Sequence, residues 1–163
     1  MPHSTRPIAA LLHRFLDQAR TGTSLSTHGY LTRYRDLKVQ VSFGKGNFAQ
    51  VPWVAFLAEG QRVFLGIYPV FLYFRAKERL LLCFGASEEM NAPVRWSGID
   101  GRPTVQDWFL AVGIGRPPRY GSSFVAGAWD TSDPLPFDRI DQALNQVIDE
   151  YERVIAGNLG TKS

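Results

Sequence analysis

Lys38-Val-Gln-Val-Ser-Phe-Gly-Lys-Gly-Asn-Phe-Ala-Gln-Val-Pro-Trp-Val-Ala-Phe-Leu57 is the stretch that decides the fold class. Val39, Val41 and Phe43 alternate with Lys38, Gln40 and Ser42. A period of two marks a half-buried strand, because successive strand side chains point to opposite faces. Gly44-Lys45-Gly46-Asn47 reads as a turn. Gln50–Leu57 reads as the next strand, with Pro52 marking an edge or a bulge.

Downstream, Glu59-Gly60-Gln61 is a second turn. Pro69–Phe74 and Leu80–Phe84 are dense in β-branched and aromatic residues and read as a buried hairpin joined through Arg75–Arg79. Breakers at Pro93, Gly98 and Gly101-Arg102-Pro103 interrupt residues 87–103. Thr104–Val112 is expected to be a short helix carrying Trp108 and Phe109, opened by Thr104 with Asp107 as a weak capping box. Gly113–Gly121 is a basic Gly/Pro loop, and Ser122–Trp129 a late strand. Phe137–Ile155 is a long amphipathic helix capped by Asp138 and frayed from Gly157. Upstream, Ile8, Leu11, Leu12, Phe15, Leu16 and Ala19 share one face of a helix over Pro7–Arg20, and Thr21–Thr27 is a polar loop. The expectation is one α+β domain over residues 1–163 with an ordered core of about 6–156. Its mixed, mostly antiparallel curved sheet is packed by the N- and C-terminal helices.

Composition narrows the function classes. Of 163 residues, 45 % are hydrophobic and 20 % charged, a globular balance. A single cysteine, Cys83, cannot form an internal disulfide. His3, His13 and His28 lack zinc-site spacing, so no metal or cofactor is expected. No apolar run suggests a signal peptide or a membrane span, and a reducing cytoplasm is the expected location. The net charge of +3 hides a gradient. Residues 1–80 carry +7, residues 81–129 are neutral, and residues 130–163 carry −4. Fourteen of the 18 cations are arginine, the better fork for phosphate, so the basic half is a candidate polyanion surface.

Catalytic patterns are weak. Gly44-Lys45-Gly46 lacks the frame of a phosphate loop. Asp36-Leu37-Lys38 offers half of a metal-dependent nuclease signature without a second strand-end carboxylate. No Ser/His/Asp or Cys/His arrangement fits, because every histidine precedes residue 29. A glycine loop with a basic tip can instead approach a DNA groove closely, and rings beside basic loops can stack on an unpaired base. Taken singly, Trp53, Leu72, Tyr120 and Lys45 are more often ordinary core or surface residues.

Ordered together, several blocks resemble the N-terminal DNA-binding domains of the McrB family of modified-cytosine restriction proteins. They are Tyr34-Arg-x-Leu37, Ser42-Phe-Gly-x-Gly-Asn-Phe48, Pro52-Trp53, Ala55-Phe-Leu57, Glu59-Gly-Gln61, Gly66-Ile-Tyr-Pro-Val70 and Tyr120-Gly121. The opening and closing helices also match. The resemblance implies binding of double-stranded DNA that carries 5-methylcytosine or 5-hydroxymethylcytosine after a purine, with the modified base flipped into a pocket. It implies Trp53, Leu72 and Tyr120 as that pocket, with Tyr68 in support. The loop entering the DNA is Gly44, Lys45, Gly46 and Asn47; the family example best known has an aromatic ring where this chain has Lys45. Arg119, Lys38 and Ser122 are expected phosphate contacts. The implied partners are a GTP-hydrolysing AAA+ domain and a nuclease subunit, with no membrane and no catalysis by this chain. The rivals are a reader of unmodified DNA or of another modified base, a nuclease using Asp36 and Lys38, and a protein-interaction domain.

Overall fold

The computed structural model describes residues 6–58, 66–86, 96 and 99–160. Alternating and apolar runs build six strands: β1 (Arg33–Tyr34), β2 (Leu37–Ser42), β3 (Trp53–Leu57), β4 (Ile67–Phe74), β5 (Arg79–Ala86) and β6 (Phe124–Asp130). They lie in chain order in one sheet, and all five pairings are antiparallel. Among the described residues three α-helices accompany them: α1 (Arg6–Thr21), α2 (Val105–Val112) and α3 (Phe137–Gly160). The α+β expectation holds.

The stretch around Tyr34 is a tight hairpin. Tyr34 pairs with Leu37, and Arg35 and Asp36 between them both have positive φ, 50° and 64°. Two left-handed residues make the turn whose twist matches antiparallel strands. Asp36, half of the nuclease pattern, is therefore an exposed turn residue.

Two prolines set the limits of strand pairing. β3 begins at Trp53, not at Gln50. Pro52 has no N–H to give a ladder, but its carbonyl accepts from the Tyr73 amide at 2.9 Å. Pro69 lies inside β4, where a proline is normally excluded. The β3–β4 register ends at Ala55 opposite Val70, so Pro69 lacks a donor only where its neighbour has departed.

α3 runs to Gly160, past the predicted fraying at Gly157. Glycine lowers helix propensity by about 1 kcal/mol but does not block the backbone. Tyr151 is buried and Val154 and Ile155 pack against the core, so tertiary contact carries the helix as far as Ile155.

The two faces of the sheet bury different clusters. On one, Val54, Phe56, Phe71, Tyr73, Leu80 and Leu82 meet Leu12, Phe15, Leu144 and Ile148 of α1 and α3. On the other, Ala55, Leu57, Val70, Leu72, Phe74, Leu81 and Cys83 meet, among the described residues, Val51 before β3, Val105 and Phe109 of α2 and the loop that follows it. The helix expected over Thr104–Val112 is thus the cover of the second face. Thr104 caps it by accepting from the Asp107 amide. Left-handed Gly113 closes it, donating to Phe109 and Leu110 carbonyls.

Candidate functional site

Sequence reasoning placed the candidate site on β3, β4 and the loop before β6. Ser42, Trp53, Leu72 and Leu81 stand abreast across four strands. Directly opposed residues in an antiparallel sheet project from the same face. Trp53 and Leu72 are therefore neighbours on the second face. Leu72 is buried in its cluster, while Trp53 is only partly covered.

Tyr120 reaches the same cluster from the loop after α2 and is also partly covered. Its φ is +63°, in the left-handed region. A tyrosine there costs on the order of 1 kcal/mol against a glycine. The strain is held by its neighbours: Gly121 accepts from the Gln106 amide at 3.1 Å, and Ser123 from the Val105 amide at 2.8 Å. The loop is thereby tied to the first turn of α2. The Arg119 guanidinium lies 4.6 Å from the Tyr120 ring centroid, a stacked cation–π contact.

Tyr68 belongs to this cluster but stands four residues along β4 from Leu72, about 13 Å at strand rise. Its ring lies over Gly85, where a Cβ would come within 2.9 Å of ring carbon Cε2. A residue without a side chain is what gives this ring its place. Lys38 faces the same side as Leu57, likewise about 13 Å along the sheet from Trp53. Arg33 stands directly opposite Lys38, and both are exposed. Like charges in register repel, and an anion beside them would relieve that. Sequence reasoning passed over Arg33, since only the hairpin register brings it beside Lys38.

The glycine loop projects from the end of β2 and β3. Lys45, Gly46 and Asn47 are exposed, with Phe43 and Phe48 anchoring the loop at a ring separation of 5.7 Å. Gly44 has φ +113°, and a Cβ there would lie 2.8 Å from the Ala49 nitrogen. Only glycine suits that position. The Ala49 amide donates to the Phe43 carbonyl at 2.8 Å and the Asn47 amide to the Lys45 carbonyl at 2.8 Å. Arg75 braces the far side, 4.4 Å from the Phe48 ring centroid and 3.3 Å from the Ala49 carbonyl. Ser122 is exposed at the start of the turn into β6.

Charge is sorted across the sheet. The acidic C-terminal segment forms α3, on the first face, where Arg35 pairs with Asp149 at 2.7 Å and Glu152 at 3.4 Å. Lys38, Lys45, Arg116 and Arg119 are exposed around the second. Below that surface, burial pushes the Cys83 thiol well above its ordinary range. Buried there, it is a small apolar residue and no nucleophile. Among the described residues no cluster of three or more His, Cys, Asp or Glu side chains is placed to hold a metal ion, and no helix is long and apolar enough to cross a membrane.

These features define a class: an α+β domain built on an antiparallel meander, closed by long helices on one face and presenting a cation-fringed aromatic surface on the other. The MrcB-like, N-terminal domain family matches residues 10–91, half of the chain, and this chain belongs to that family. It is also 36 % identical over 144 residues to the type IV methyl-directed restriction enzyme EcoKMcrB subunit of Escherichia coli (strain K12). That alignment covers 88 % of this chain and 31 % of the relative, so the chain spans about a third of that protein's length.

Proposed function

We propose that this chain is a DNA-binding module that recognises modified cytosine, 5-methylcytosine or 5-hydroxymethylcytosine, by receiving the flipped base at Trp53, Leu72 and Tyr120. It serves as the targeting part of a modification-dependent restriction system. GTP hydrolysis and DNA cleavage belong to an AAA+ domain and a nuclease subunit outside this chain, and the work is done in the cytoplasm. The observation that carries the reading is the union of Trp53, Leu72 and a strained Tyr120 on one apolar cluster, beside exposed cations. The family match and the methyl-directed relative support the choice of target.

Each part has a definite task. Leu72 is the floor and the two rings are the walls of a slot for a planar pyrimidine. Extruding a base from the duplex costs a few kcal/mol, which stacking on the rings must offset. A buried methyl adds about 0.8 kcal/mol, roughly a fourfold preference, so the methyl alone gives modest discrimination. Phosphate contacts from Lys38, Arg119 and Ser122 supply affinity without sequence information. Lys45 and Asn47 enter the groove on the glycine loop. Lys45 cannot fill the vacated stack as a ring would; its ammonium reaches a phosphate or the orphaned base.

Fluorescence anisotropy on a duplex with one cytosine, unmodified, methylated or hydroxymethylated, tests this. The expected result is tighter binding to a modified duplex, lost in Trp53→Ala and Tyr120→Ala while circular dichroism stays native. Retained discrimination in both variants would refute the pocket, and equal binding of all three duplexes by the parent protein would refute modified-base reading.

A further inference from the structure

A concavity lies at the end of the sheet where residues of both faces meet, with Tyr73 of the first cluster and Phe74 of the second in its lining. It is a cleft of about 750 Å³ whose lining includes Phe74 and Phe109, the ring pair 4.8 Å apart beneath α2. It shares no lining residue with Trp53, Leu72 and Tyr120. Its rim carries Arg20 from α1, Arg75 and Lys77 from the β4–β5 connection, and Arg116 from the loop after α2, against a single carboxylate, Glu78. None of these four cations is ion-paired with a carboxylate among the described residues. Four unneutralised cations around one cleft repel one another and attract a polyanion.

Two of the four are already positioned. Arg20 donates to the Thr131 carbonyl at 2.8 Å. Arg75 donates to the Ala49 carbonyl and stacks on Phe48. A guanidinium has five N–H donors, so each retains donors for a ligand. Arg75 also joins the cleft to the glycine loop, and Gln50 of that loop lines the cleft directly. The cleft thus reaches the base of the glycine loop.

We propose that this cleft binds the sugar–phosphate backbone of the DNA as it leaves the Lys45 tip, so that Arg20, Lys77 and Arg116 are phosphate contacts. The inference rests on the DNA-binding reading above and extends its footprint past the base pocket. It has no bearing on which base is read.

The test is the salt dependence of duplex binding for the parent chain, for Lys77→Gln and Arg116→Gln singly, and for the double variant. Both residues are exposed, and neither braces the glycine loop as Arg75 does. Each loss should reduce the slope of log K against log salt by about 0.9, and the double variant by about 1.8. The ratio between methylated and unmodified duplexes should not change. A folded double variant with the parental slope would overturn the proposal. A cleft that takes free phosphate and not the duplex would give that parental slope, which distinguishes the two sources of phosphate. A reduced slope in a chain that ignores methylation would keep the cleft and sink the modified-base pocket. Absence of DNA binding by the parent would sink both.

Discussion

The two faces of the sheet are built from the same strands and do opposite work. The first buries 24 described residues under the 16-residue α1 and the 24-residue α3. The second buries 12, under the eight-residue α2 and a loop. On the first face the Ala58 amide donates to the Tyr151 hydroxyl at 3.0 Å, and Arg35 holds α3 carboxylates at the surface. On the second, partly covered Trp53, Trp108 and Tyr120 rim the cluster. Leu110 and Val112 of α2 are exposed. A thick face secures stability, so a thin face can carry strain and exposed rings without unfolding the domain.

The largest effect expected from this contrast is on stability. Phe71 is fully buried on the first face and meets Phe56 at a ring separation of 6.1 Å. Phe71→Ala should cost about 3–5 kcal/mol. Trp53→Ala should cost less, because its ring is only half-buried. Urea denaturation of both variants checks the ordering, and an equal loss would mean that the second face is as structural as the first.

A smaller effect isolates the strain. Tyr120→Gly and Tyr120→Ala both remove the ring, but only glycine relaxes at positive φ. The glycine variant should be the more stable by about 1 kcal/mol, read in the same denaturation experiment. Equal stability would remove strain from the account of this loop. The smallest perturbation leaves the chain unchanged. Cys83 is buried in the second cluster with its thiol pushed up. Alkylation in native buffer should therefore be slow and should accelerate in mild urea before the far-ultraviolet signal is lost. Labelling that follows global unfolding alone would show the two faces opening as one unit.

The local elements were readable because their signals are local. α1 was expected over Pro7–Arg20 and forms over Arg6–Thr21, since its six apolar residues alone define the buried stripe. The alternation from Lys38 became β2, and the Leu80–Phe84 run lies inside β5. Thr104 proved to be the helix cap because an N-cap needs only its own next turn. Glu59-Gly60-Gln61 lies outside the described residues. The site was legible in part. The pairing of Trp53 with Leu72 needs the β3–β4 register, and the separation of Tyr68 and Lys38 from them needs strand lengths. Nothing near Arg20 in the chain indicates that it shares a cleft with Lys77 and Arg116.

By itself the sequence determined the helices, the strand-rich centre, the glycine loop with its lysine tip, and the split between a basic front and an acidic tail. Those follow from periodicity, turn chemistry and charge order, which act over a few residues or can be counted. Only the tertiary structure decided that α2 covers the second face, that the acidic α3 lies behind the sheet, and that cations far apart in the chain gather at one cleft. These depend on strand register and helix packing, which bring together groups whose sequence neighbours carry no trace of the meeting.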